Sequence, residues 1–247
     1  MTVQNEDTAC KDTAGEGINT GNSAAACMER AGDPACGKTP GRTITVNSSA
    51  QESIYGNHLP EMQQVMQRLL DAIADIRCRM TKELGMDPVE HVLSRIKTEE
   101  SMREKCRRRD LPETTESALC VLKDAIGIRV VCAFVDDVYR IRDDLVKLPG
   151  CRPVEEKDYI RHAKPNGYRS YHLILQVDGG LYAEIQLRTI SMDTWAALEH
   201  HMHYKKNLEG DAQKNNDLIV AELKRCADEL ASTDASMQTI RDMILGG

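Results

Sequence analysis

The chain has 247 residues, 41% of them hydrophobic and 29% charged, with a formal net charge of −7. This is the composition of a soluble globular protein, most simply one domain with appendages; with no apolar run of about 18 residues, no segment is expected to span a membrane. The negative balance argues against bulk attraction to nucleic acid, and nine cysteines without a Cys-x-x-Cys pair point to neither a disulfide framework nor the usual zinc spacing.

Residues 1–57 are rich in Gly, Ala, Thr, Asn and Ser, with no aromatic residue before Tyr55. They read as a disordered polar tail, because they bury too little apolar area to offset the entropy of ordering. The opening MTVQNEDTACKDTAGEGINT lacks the basic start and apolar stretch of a signal peptide, which places the protein in the cytoplasm. From Leu59 a helix is expected: Met62, Val65, Leu69, Ile73, Ile76 and Met80 recur at steps of three and four, ending near Gly85. The following stretch SRIKTEESMREKCRRRD (94–110) is basic, with seven Lys/Arg against three Glu across 95–109. Thr98 suits a helix N-cap, with Glu99 and Glu100 at the positive end of the dipole. Ser101, Lys105 and Arg108 then share a face, with Arg95 and Lys97 just ahead.

Further on, AIGIRVVCAFV (125–135) reads as a strand covered on both faces, and DDVYRIRDDLVKL (136–148) as a helix whose Asp136, Asp137, Asp143 and Asp144 are exposed. A strand is expected near 152–159. YRSYHLILQV (168–177) and LYAEIQLRT (181–189) form a hairpin joined by Asp178-Gly179-Gly180. SMDTWAALEHHMHY (191–204) is a helix capped by Ser191, with Trp195, Leu198 and Met202 facing inward. A last stripe of Ile219, Leu223, Cys226, Leu230, Met237, Ile240 and Ile244 covers either the domain's own core or a contact between copies. Organisation is therefore a tail to 57, a central domain over 58–210 and C-terminal helices over 211–247.

The hairpin gathers the chemistry. By two-residue alternation Tyr171, Leu173, Leu175 and Val177 share one face, and Tyr168, Ser170 and His172 the other. In the partner strand Leu181, Ala183, Ile185 and Leu187 oppose Tyr182, Glu184, Gln186 and Arg188. A three-residue loop with Gly180 left-handed pairs residue 177 with 181 and puts both polar sets on one side, His172 beside Gln186 and Ser170 beside Arg188. An aromatic ring, a histidine, a carboxylate and an amide on one platform make a ligand surface. A cationic helix face opposite it fits a nucleotide triphosphate with magnesium. Neither a P-loop nor G-x-G-x-x-G occurs.

The stretches HVLSRIKTEESMREK, DAIGIRV, KDYIRHAKPNGYRSYH and AEIQLRTISMDTWAALEHHMHYK closely resemble the synthetase domain of RelA/SpoT-type enzymes, most of all the small alarmone synthetases. The resemblance implies a mixed α/β fold related to nucleotidyltransferases, a β-sheet flanked by helices. It implies transfer of the β,γ-pyrophosphate of ATP to the 3′-hydroxyl of GDP or GTP, releasing AMP, and a homotetramer. Residue by residue, it would have Arg95 and Arg129 sandwich adenine, and Lys97, Ser101, Lys105 and Arg108 hold the ATP phosphates. Asp124 and Glu184 would bind Mg2+, Glu184 also taking the 3′-hydroxyl proton. On the acceptor side Tyr168 would stack on guanine with Gln186 and Asp193 at its edge, Asn166 would belong to the same GTP/GDP site, and Lys164 and His172 would meet the acceptor's phosphates. Close relatives tend to have Asn at the position of Asp193. Strict alternation puts Asp124 and Arg129 on opposite faces, so both serve one site only if the segment around Ala125 is irregular. No His-Asp dipeptide occurs, so the hydrolase domain of the longer relatives is not expected, and neither is their long C-terminal regulatory region.

Two other readings compete. Nucleotidyl transfer would release pyrophosphate instead of AMP. A single-stranded RNA-binding protein could use the basic helix, but the net charge does not indicate it, and RNA needs no carboxylates beside its phosphates.

Overall fold

A computed structural model describes residues 52–204 and 216–246; residues 1–51 of the tail expected over 1–57, and the boundary at 210, lie outside these residues. Helix α1 (Leu59–Leu84) opens with Pro60 in its first turn and stops at Gly85, whose φ of 70° lets its N–H reach back to Thr81 O. Its buried residues, Met62, Leu69, Ile73, Ile76 and Met80, are those of the sequence stripe. The following elements are β1 (Val89–Ile96), α2 (Glu99–Arg108), a short π-helical turn at Ser117–Val121, β2 (Ile126–Cys132), α3 (Val135–Leu145), β3 (Cys151–Asp158), β4 (Tyr171–Val177), β5 (Tyr182–Thr189), α4 (Ile190–Tyr204) and α5 (Asn216–Leu245).

The five strands form one mixed sheet in the order β1-β2-β5-β4-β3. Only β2 and β5 run parallel; every other neighbouring pair is antiparallel. One core is built from α1, α3 and the apolar sheet face, where Ile128, Val130, Leu173, Leu175, Ile185 and Leu187 are fully buried. This is the mixed α/β architecture expected. Among the described residues, no helix is long and apolar enough to cross a membrane.

The hairpin register is the expected one: Val177 N donates to Leu181 O at 2.9 Å and His172 lies opposite Gln186. The left-handed residues, however, are Asp178 (φ 49°) and Gly179 (φ 74°), not Gly180. Several other expectations need correction. Ile54 and Tyr55, assigned to the tail, are each only 2% exposed and belong to the core, since both carry enough apolar surface to anchor the segment before α1. The strand expected over 125–135 stops at Cys132, and Phe134 N-caps α3; Gly127 and Arg129 are half-exposed, so only one face of β2 is sealed. Asp137 is buried, not exposed, because it pairs with Arg241.

Helix α4 starts one residue early, at Ile190, and its cap is Thr189, whose Oγ1 accepts from Met192 N at 3.2 Å. Trp195 faces inward, but Leu198 and Met202 are exposed; Met192 and Ala196 are the other inward positions. Helix α5 is one continuous helix whose buried residues are Ala227, Asp234 and Arg241. Leu223 and Leu230 pack beside Trp195 and Ala227, whereas Ile219, Met237, Ile240 and Ile244 are exposed. The helix is therefore docked largely by polar groups: Thr189 Oγ1 donates to Asp234 at 2.6 Å, and Arg241 pairs with Asp137 at 3.1 Å while stacking on Phe134.

Candidate active site

The sheet face opposite the core stays open and is mostly polar, with Leu93 and Ile174 as its large apolar residues. Cross-strand register lines its residues up in two rows. One row runs Leu93, Arg129, Gln186, His172 and Lys157; the other runs Arg95, Gly127, Glu184, Ile174 and Glu155. Arg95, Lys97, Asp124, Gly127, Arg129, Glu184 and Gln186 line a cleft of about 220 Å³. Gly127 matters by what it lacks: with no side chain opposite Arg95, the floor between Arg95 and Arg129 is bare. Burial and the neighbouring Arg188 lower the pKa of Arg129, opposed by the charge of Asp193.

Asp124 reaches the cleft because it precedes β2. The chain before it is irregular, with Lys123 at φ 54°, so strand alternation does not govern it and it shares the cleft with Arg129. The end of β1 closes over this point through Lys97 N to Ala125 O at 2.8 Å. Both Lys97 and Lys105 donate to Asp124 Oδ2, while Oδ1 is buried without a hydrogen-bond partner. An unpaired buried carboxylate oxygen is costly, and it stands on a wall of the cleft.

Glu184 is the second carboxylate. His172 Nδ1 lies 3.0 Å from its Oε1 and Gln186 Nε2 donates to Oε2 at 3.2 Å. Burial alone would raise its pKa, but the His172 hydrogen bond and charge, Gln186 and Lys105 together outweigh that and lower it to about 2. The two carboxylates with an orphaned oxygen fit a hard divalent cation that completes its shell from substrate phosphates, which is how magnesium is usually held. Among the described residues no group of three or more His, Cys, Asp or Glu could hold an ion alone.

At the other end of the face stands Tyr168. It precedes β4 instead of lying in it, and half-buries its ring near Trp195 and Tyr159, at centroid distances of 6.3 and 6.1 Å. Tyr171 takes the main-core position, as alternation requires, yet Tyr168 also packs, against α4 and α5. Lys164 Nζ lies 4.7 Å from the Tyr168 ring centroid. Asn166 Oδ1 accepts from Tyr168 N at 3.2 Å, so here it shapes the turn. Asp193 pairs with Arg188 at 3.0 Å and Arg129 at 3.2 Å. Ser101 is tied to its own cap Thr98, and Arg108, 68% exposed, faces Glu104; neither lines the cleft. Ser170 is fully buried instead of facing a ligand. Sequence reasoning gave Arg188 no role, although its place on the polar side of β5 was the available signal.

Carboxylates, cations and an aromatic wall on one sheet face define a protein that handles nucleotide phosphates. A family described as "Region found in RelA / SpoT proteins" matches residues 94–209. The GTP pyrophosphokinase YwaC of Bacillus subtilis is 40% identical over 153 residues, 59% of this chain and 73% of that protein. The GTP pyrophosphokinase YjbM of the same organism is 32% identical over 186 residues, 72% of this chain and 84% of that one. Among solved structures, the small alarmone synthetase 1 from Bacillus subtilis bound to its product pppGpp aligns with a TM-score of 0.63 and 29% identity, over 77% of this chain and 96% of that one. A GTP pyrophosphokinase family protein from Streptococcus pneumoniae aligns with a TM-score of 0.64 and 35% identity, over 76% of this chain and 93% of that one. The chain belongs to the RelA/SpoT family, among its small alarmone synthetases.

Proposed function

We propose that the chain is an ATP:GTP/GDP 3′-pyrophosphotransferase, moving the β,γ-pyrophosphate of ATP to the 3′-hydroxyl of GDP or GTP and releasing AMP. The observation that carries this reading is the placement of Asp124 and Glu184 on one cleft with Arg95, Lys97, Arg129 and Gln186. The relatives named above act on or bind nucleotides of this kind, which agrees with it.

Arg95 and Arg129 stand diagonally across the bare Gly127, a slot suited to a flat adenine ring. Lys97 and Lys105 hold the donor phosphates; both already converge on Asp124. Ser101 and Arg108 sit on the same helix, where substrate would have to draw their side chains inward. Asp124 and Glu184 would hold magnesium, which when bound offsets the charge on the transferred phosphates and polarises them for attack. Glu184, kept ionised by its partners, accepts the 3′-hydroxyl proton. Tyr168 supplies the guanine wall, Gln186 the polar edge, and Lys164 and His172 the acceptor's phosphate contacts. Asp193 acts on this side by holding Arg129 and Arg188.

The exposed Ile219, Met237, Ile240, Met243, Ile244 and Leu245 of α5 suit contact between copies, and a homotetramer is the assembly we assign; a monomeric mass by light scattering at micromolar concentration would refute it. A cytoplasmic location is the one we assign, in agreement with these substrates. The activity itself is tested with γ-labelled ATP, GDP or GTP, and magnesium. Label should appear in a guanosine product and vanish with EDTA, whereas label found only as free phosphate overturns the proposal.

A further inference from the structure

Five side chains on the open face form a closed ring of hydrogen bonds, and one of them is Arg188, which has no part in the chemistry described above. Arg188 is only 4% exposed. Its Nη2 has two protons and gives one to each of two arms. One goes to Gln186 Oε1 at 3.1 Å, and Gln186 Nε2 then donates to Glu184 Oε2 at 3.2 Å. The other goes to Tyr168 Oη at 2.8 Å; Tyr168 Oη lies 2.8 Å from His172 Nε2, and His172 Nδ1 lies 3.0 Å from Glu184 Oε1. The remaining nitrogens are also engaged: Nη1 donates to Asp193 at 3.0 Å, and Nε to Ser170 Oγ at 3.4 Å.

We propose that Arg188 is the positioning residue of the acceptor half-site, its single buried guanidinium fixing Tyr168, Gln186 and Asp193 together and, through the two arms, the orientations of His172 and Glu184. A guanidinium donates only, so both arms acquire a direction. Having accepted from Arg188, the Tyr168 hydroxyl has its own proton left for His172 Nε2. That proton meets the bare Nε2 of neutral His172, whose Nδ1 proton faces the Glu184 carboxylate, so the hydroxyl fixes the Nε2 end of the ring as Glu184 fixes the other. The Gln186 amide is likewise fixed, oxygen toward Arg188 and nitrogen toward Glu184, so its free edge offers a donor and an acceptor in set places. Arginine is required for this, because one ammonium cannot serve Gln186, Tyr168, Asp193 and Ser170 in a planar fork. The donor side is touched at one point only: Lys97 and Lys105 act through Asp124, outside the ring, whereas Arg129 shares Asp193 with Arg188.

The inference rests on the pyrophosphotransferase reading, and the test separates the two. Arg188→Met and Arg188→Lys are compared with wild type for kcat and for KM of each nucleotide, with thermal melting as the check on folding. The KM for GDP or GTP should rise roughly ten- to a hundred-fold, the scale of lost buried partners and misplaced groups, while the KM for ATP changes far less, through the shared Asp193 alone, and lysine fails to rescue. Equal changes for both nucleotides, or full rescue by lysine, would overturn the assignment. Wild-type protein that transfers no label counts instead against the function. A readout independent of turnover is the ¹⁵N spectrum of His172, in which the Nε2 signal, set by the Tyr168 hydroxyl, should shift in Arg188→Met. Tyr168→Phe cuts one arm without touching the arginine, so it serves if the Arg188 variants do not fold. It should shift the same Nε2 signal, and an unchanged His172 spectrum in it would overturn the proposal.

Discussion

The phenol of Tyr55 donates to the main-chain carbonyl of Lys97 at 2.7 Å, so a residue ahead of the first helix holds the backbone of a residue that contacts Asp124. The same segment ties α2, since Ser53 Oγ and Ile54 N both donate to the Glu99 carboxylate, at 2.8 and 3.2 Å. A chain starting at Glu52 keeps these contacts, and one starting at His58 loses them together with the buried Ile54 and Tyr55. The shorter chain should melt lower by on the order of ten degrees and bind ATP more weakly. Equal melting temperatures for the two truncations would show that the segment is dispensable.

Arg241 and Asp137 make a buried ion pair that docks the far end of α5, with side chains only 4% and 2% exposed. Burial raises the Asp137 pKa, and Arg241 opposes the rise. Arg241→Met leaves the carboxylate without its counter-charge and should cost about 3 kcal/mol at neutral pH. The sign with pH follows: a carboxyl whose folded pKa is raised favours folding in its protonated form, so the variant's deficit should shrink as pH falls. Thermal melts of both proteins at neutral and mildly acidic pH decide it. A deficit that grows on acidification would contradict the pairing.

Gly167 sits at φ 94°, and a Cβ there would come within 2.6 Å of Ala227 Cβ and 2.9 Å of Lys224 Cα. Gly167→Ala is therefore strained twice, by the left-handed backbone and by the body of α5, and should destabilise by roughly 1–3 kcal/mol. Because Tyr168 is the next residue, acceptor affinity should fall as well, while ATP affinity holds. An alanine variant with wild-type melting and wild-type acceptor KM would mean that α5 yields freely.

How much of this was legible in the sequence depended on whether a residue's role was local. The β4–β5 register was readable because parity and a three-residue loop fix it together, and the α1 stripe because its apolar face meets the core directly. Strand β1 was not, since as an edge strand it shows no clean alternation of buried and exposed residues. The inner face of α5 was misleading for another reason: Ala227, Asp234 and Arg241 bury themselves through partners about 40 to 100 residues away, while the apolar side chains that attract notice point outward. Asp124 could be placed in the cleft only once the chain before β2 was seen to be irregular. The linkage of Arg188 to Glu184 needed side-chain geometry that no spacing encodes.

The last prediction separates binding from chemistry on one sheet face. Tyr168→Ala removes the aromatic wall, and a base stacked on such a ring is worth roughly 1–3 kcal/mol. Acceptor binding should weaken about five- to a hundred-fold while ATP binding stays nearly unchanged, because Lys97 and Lys105 meet Asp124 and not Tyr168. Part of any loss in stability will come from Trp195, whose contact with Tyr168 goes too, so folding is checked by melting before affinities are compared. Glu184→Gln keeps the size of the side chain and deletes the charge, and with it the capacity to hold a cation and accept the 3′-hydroxyl proton. Turnover should be abolished with nucleotide binding still measurable by calorimetry. Weakened ATP binding in Tyr168→Ala equal to that for GTP would remove the ring from the guanine site. Near-normal turnover in Glu184→Gln would remove the carboxylate from the catalytic step, and with it the role assigned to the hairpin.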